Sequence, residues 1–67
     1  MKFYDLVNSE EELIGEIVEF EDGACVLKFS IYKKMHCFDD YDKLKNFLKQ
    51  LRLIDVKIIE NGVCVDC

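Results

Sequence analysis

Residues 16–31 read EIVEFEDGACVLKFSI, two runs of alternating apolar residues on either side of Glu21-Asp22-Gly23. Asp-Gly suits the two positive-φ positions of a type I′ turn, so the stretch predicts a β-hairpin of 16–20 against 24–31. With Asp22 and Gly23 as the loop, Phe20 faces Cys25, Val18 faces Leu27 and Glu16 faces Phe29. One face then collects Val18, Phe20, Cys25, Leu27, Phe29 and Ile31 and is assigned to the core; the other carries Ile17, Glu19, Val26, Lys28 and Ser30.

A second hairpin is expected around Asn61-Gly62, joining 53–60 to 63–67. Its register pairs Ile59 with Cys64, Ile58 with Val65 and Lys57 with Asp66, the last setting opposite charges across the ladder. Ile54, Val56, Ile58, Val63, Val65 and Cys67 share one face, and Asp55, Lys57, Ile59, Cys64 and Asp66 the other. Between the hairpins, Asp39 or Asp40 caps a helix over 40–51, whose Leu44, Phe47, Leu48 and Leu51 form a stripe at helical spacing. Lys49 and Arg52 suit the negative end of its dipole.

At the start of the chain, 3–7 reads as a short strand, and Ser9-Glu10-Glu11-Glu12 as a capping box opening a helical turn over 9–14. Alternation fails at Lys33-Lys34, which leaves the path of 32–38 open. The expected architecture is α+β: a small single-layer antiparallel sheet built from two β-hairpins, one main α-helix packed on one face, and a short N-terminal helical turn.

The 67 residues are 51% hydrophobic and 34% charged, with no proline, as befits one folded domain over 1–67. A chain this short buries only about 60% of its unfolded surface, so a deep substrate cleft within one subunit would remove much of its core. The expectation is a non-enzymatic protein. No apolar run reaches signal-peptide or membrane-span length, which predicts neither export nor membrane insertion and points to a cytoplasmic, reducing setting where disulfides are uncommon.

Net charge is −5, unevenly spread. Residues 1–23 hold eight acids against Lys2 alone, giving −7, whereas 24–67 hold six acids and eight bases, giving +2. Such a balance repels phosphate backbones and favours basic protein partners.

Four cysteines and one histidine raise a second chemistry: Cys25, His36-Cys37 and Cys64-x-x-Cys67. Zinc needs thiolates and imidazoles converging on one point, and His36, Cys37, Cys64 and Cys67 are the ligands such a site would use. Residues i and i+3 of a strand point to opposite faces, however, as do adjacent residues 36 and 37 if extended. A thioredoxin-like pair would need a helix after its first cysteine, which this motif lacks. Cys25 and Cys67 read as small core hydrophobes and Cys64 as an exposed thiol. Asp39, Asp40 and Asp42 read as cap and dipole partners of the helix.

These residues point to a small intracellular interaction module, without a cofactor, that binds and inhibits a partner protein or pairs with a second copy. Its surface would be the open sheet face around Ile17, Val26 and Ile59, with Glu10, Glu11, Glu12, Glu16 and Glu19 beside it. One alternative is an acidic nucleic-acid mimic that blocks a nucleic-acid-binding protein; another is a small zinc-binding or redox protein.

Overall fold

In the computed structural model, which describes residues 1–53 and 55–66, the chain at Glu21-Asp22-Gly23 turns over three residues instead of two. Phe20 N–H donates to Ala24 O at 2.8 Å, and Gly23 N–H donates to Phe20 O at 3.0 Å. Of the loop residues only Gly23 takes positive φ, at 95°. This is a type I turn followed by a left-handed glycine, the other common hairpin closure. Asp22 Oδ1 accepts from Ala24 N–H at 3.0 Å, a local bond that favours this geometry.

The extra loop residue shifts the register by one. Val18 now pairs with Val26, Ile17 with Leu27 and Glu16 with Lys28. A one-residue slip inverts every side chain of a strand. Ile17, expected on the open face, is therefore fully buried with Leu27, while Val18 lies half-buried on the opposite side. Phe20 is 39% exposed and Ile31, beyond the end of the ladder, 91% exposed, so neither joins the core.

Six strands and one helix follow in order: β1 (Lys2–Val7), β2 (Leu13–Glu19), β3 (Cys25–Phe29), β4 (Met35–Phe38), α1 (Tyr41–Gln50), β5 (Lys57–Glu60) and β6 (Val63–Asp66). All neighbours are antiparallel, in the spatial order β4-β3-β2-β1-β5-β6. The sheet is thus wider than two hairpins: β1 bridges the hairpins, and 35–38 adds an edge strand.

No helical turn forms over 9–14. Asn8, not Ser9, organises that connection, its Oδ1 accepting from the N–H groups of Glu10 and Glu12, each at 2.9 Å. Glu12 is drawn to Asn8 Nδ2 at 3.1 Å, and Glu11 sits at φ 62°. With Asn8 occupying those amides, the chain reverses at once and β2 pairs with β1, a closure that a growing helix would prevent. Gly15 permits a close approach of β2 to β3, since a Cβ at this position would lie 3.0 Å from Lys28 O.

The second hairpin turns at Asn61 and Gly62, both with positive φ (52° and 81°), as a type I′ turn requires. Glu60 pairs with Val63 and Ile59 with Cys64 as expected, but an irregularity beyond Ile59 makes Asp66 the partner of Ile58, not of Lys57. Ile54 and Cys67 lie outside the described residues.

Asp40 caps α1, its Oδ1 accepting from Lys43 N–H at 2.9 Å. Leu44 and Leu48, one turn apart, are buried, whereas Leu51 is 44% exposed. The helix ends in a Schellman closure: Arg52 N–H donates to Lys49 O and Leu53 N–H to Leu48 O, each at 2.9 Å, with Arg52 at φ 61° where glycine is usual. Leu44 and Leu48 cover Leu6, Ile17, Leu27 and Ile58 on one sheet face. Full burial of such a side chain stabilises by about 1.5–3 kcal/mol, so this cluster decides which way the sheet is oriented. No helix among the described residues is long and apolar enough to cross a membrane.

The register makes a direct prediction. Ile17→Ala should destabilise by about 2–5 kcal/mol in denaturant unfolding, and Val18→Ala by about 1 kcal/mol or less. The reverse order would indicate the two-residue turn.

Candidate interaction surfaces

Four strands contribute an aligned apolar row to the face away from α1. Phe3 pairs with Val18, Val18 with Val26 and Val26 with Cys37, so their side chains stand side by side. Phe3 is 64% exposed, Val18 and Val26 are half-buried and Cys37 is exposed. The next row is mixed: Cys64, Ile59, Asp5, Glu16, Lys28 and Met35 follow one another across the sheet. Val26 and Ile59 therefore lie on the open face, as the sequence suggests; Glu16, which the two-residue turn set opposite Phe29, pairs with Lys28 and joins them, and Ile17 does not. Phe3 and Val18 take the place assigned to Ile17. The clue to Phe3 was the strand character of 3–7; Val18 was hidden by the register.

The remaining expected acids separate. Glu10, Glu11 and Glu12 form the exposed β1–β2 connection at one end of the sheet. Glu19 is on the helix side at the other end, where its Oε1 accepts from the Tyr4 hydroxyl at 2.8 Å. A phosphate-like ridge requires carboxylates along one surface, and these residues occupy two ends and two faces.

The zinc ligands separate as well. His36 pairs with Leu27 and faces α1, its ring 4.8 Å from that of Phe47 and 6.0 Å from that of Phe29. Its Nε2 is buried without a hydrogen-bond partner among the described residues. Cys37 points to the opposite face from edge strand β4, and Cys64 belongs to the other edge, β6. Five strand spacings of about 4.8 Å set those edges roughly 24 Å apart, beyond the reach of one ion. No group of three His, Cys, Asp or Glu side chains converges among the described residues. Cys64 is not the exposed thiol that the sequence suggests, being disulfide-bonded. Cys25 and Cys37 are free thiols, Cys25 buried and Cys37 exposed.

The concave regions on the helix side include one at each end of the sheet. A cleft of about 340 Å³ at the Glu19 end is lined by Lys2, Tyr4, Glu19, Tyr41, Glu60 and Val65. A groove of about 270 Å³ at the other end is lined by Ile14, Phe29, Ile31, Tyr32, Leu51 and Leu53. In the cleft, burial first, then the hydrogen bond to Glu19 and the charges of Glu19 and Glu60, push the Tyr4 hydroxyl up to about 12. Burial, followed by Glu19 and Asp40, also raises the Cys25 thiol.

Comparison with protein-family models, with curated proteins and with solved structures finds no match to this chain.

Thiol labelling of the folded protein should modify Cys37 rapidly and Cys25 slowly, with Cys64 reacting only after reduction; mass spectrometry of the labelled peptides reads the order. For Tyr4, the proton is held more tightly in the folded state than in the unfolded state, where the value is near 10.0. The associated stability is fully present below pH 10 and is lost as pH rises through about 12. Tyrosinate absorbance should show a late titration step that Tyr4→Phe removes.

Proposed function

We propose that this chain is a small non-enzymatic protein-interaction module that docks a partner protein on the sheet face away from α1. The observation that supports it is the cross-strand row Phe3, Val18, Val26 and Cys37, bordered by Asp5, Glu16 and Lys28. A helix covers one face of this sheet, and the other presents aligned apolar side chains with a charged border, the composition of an interface centre and its rim. Removing Phe3 and the valines from water gives the attraction; the flanking charges discriminate among partners and fix orientation. The overall charge of −5 favours a basic partner. A second copy of the chain is the competing occupant, and sedimentation over a range of concentrations separates the two.

Affinity capture from the source cells, run with wild type, Phe3→Glu and Ile31→Glu, tests the docking face. The protein retained by wild type should be lost with Phe3→Glu and kept with Ile31→Glu, both variants remaining folded because both positions are exposed. Retention by Phe3→Glu would overturn the assignment.

A further inference from the structure

The sheet end that carries the β2–β3 turn, the β4–α1 junction and the Asn61-Gly62 turn gathers acids that are distant in sequence. Glu19, Glu21 and Asp22 come from β2 and its turn, Asp39, Asp40 and Asp42 from the start of α1, and Glu60 from β5. Against these seven carboxylates stand the terminal amine, Lys2, Lys43 and Lys45. The Met1 amine lies 4.0 Å from Glu21 and Lys43 Nζ lies 3.0 Å from Asp39. This end is net negative.

The 340 Å³ cleft opens within that end. Its volume is at the low limit for small-molecule sites, roughly 300–1,000 Å³, and is suited to a single side chain. Tyr4 and Tyr41 line it, their ring centroids 6.4 Å apart and their planes tilted by 42°. Glu19 and Glu60 add carboxylates. Glu19 Oε1 is committed to the Tyr4 hydroxyl, whereas the Glu60 carboxylate has no side-chain partner among the described residues. Lys45 Nζ lies 6.0 Å from the Tyr41 ring centroid, and Lys2 lines the rim, so ammonium groups of the chain itself already border the site.

We propose that the cleft between Tyr4, Tyr41, Glu19 and Glu60 receives an arginine side chain of the partner protein. An anion would meet two carboxylates, and an apolar side chain would desolvate Glu60 without replacing its hydrogen bonds. Arginine answers each feature: its planar faces stack on phenol rings, its N–H edge meets carboxylates in a fixed fork, and it sheds water more readily than an ammonium. Because Lys2 competes for the same carboxylates, it weakens the site. The inference rests on the interaction-module reading and adds to the open sheet face a second contact, on the helix side, at the end of the sheet where β1 begins.

The test is titration of the folded chain with N-acetylarginine amide, followed through tyrosine ring resonances by NMR, with N-acetyllysine amide in parallel. Tyr4 and Tyr41 should shift and Tyr32, at the opposite end of the sheet, should not. Glu60→Gln should weaken binding by about fivefold, and Lys2→Gln should strengthen it by a similar factor. Equal shifts at Tyr32, equal affinity for the lysine probe, or no effect of Glu60→Gln would each overturn the assignment. Failure here leaves the docking-face capture unaffected, and loss of that capture leaves this titration to be read on its own.

Discussion

The pairing of Ile17 with Leu27 is the contact on which the rest of the molecule depends. It follows from a three-residue turn at Glu21-Asp22-Gly23, in which only Gly23 must adopt positive φ. Given that turn, Ile17 and Leu27 face α1, Leu44 and Leu48 close over them, and Leu6 and Ile58 complete the layer. Because side chains alternate strictly along a strand, the same pairing sends Val18 and Val26 to the uncovered face. The core and the proposed docking surface are two outcomes of one register.

The other end of that register has an electrostatic consequence. Glu19, opposite Cys25, is carried to the helix side, where it meets the Tyr4 hydroxyl at the mouth of the cleft. Its charge, with that of Glu60, acts where burial already disfavours ionisation, so the Tyr4 proton is held and the phenol stays a donor. The concentration of acids at this pole comes from chain reversals at three turns, which bring Glu19, Glu21 and Asp22 of the acidic N-terminal third beside acids from later in the chain, while Glu10, Glu11 and Glu12 lie at the far end.

Much of this was legible in the sequence where a single local rule governs. A cap at Asp39 or Asp40, a stripe of Leu44, Phe47, Leu48 and Leu51 and a type I′ turn at Asn61-Gly62 each rest on a few neighbouring residues; the structure has Asp40 as cap, buries Leu44 and Leu48 but exposes Leu51, and turns at Asn61-Gly62. The α+β class, an antiparallel sheet with one helix, was legible for the same reason. The register of the first hairpin was not, because Asp-Gly serves both two-residue and three-residue closures and the flanking apolar residues Ile17, Val18, Phe20 and Ile31 satisfy either register. The capping-box signature at Ser9 misled because Asn8, one residue earlier, captures the Glu12 amide that the box requires. Residues 35–38 gave too short a run to be assigned, and β4 exists because β3 offers it a ladder. For the candidate site, Val26 and Ile59 were readable from alternation within one hairpin. Phe3, Val18, Tyr4 and Tyr41 required knowing that β1 lies at the centre of the sheet and that α1 begins above its end.

The core and the proposed docking surface both depend on how β2 meets β3. Cross-strand Hα–Hα contacts measured by nuclear Overhauser spectroscopy read this directly, since opposed non-hydrogen-bonded residues bring their Cα atoms within about 4.5 Å. The register described here predicts such a contact between Ile17 and Leu27. A contact between Val18 and Leu27 in its place would put Ile17 on the open face and contradict both the core and the docking surface.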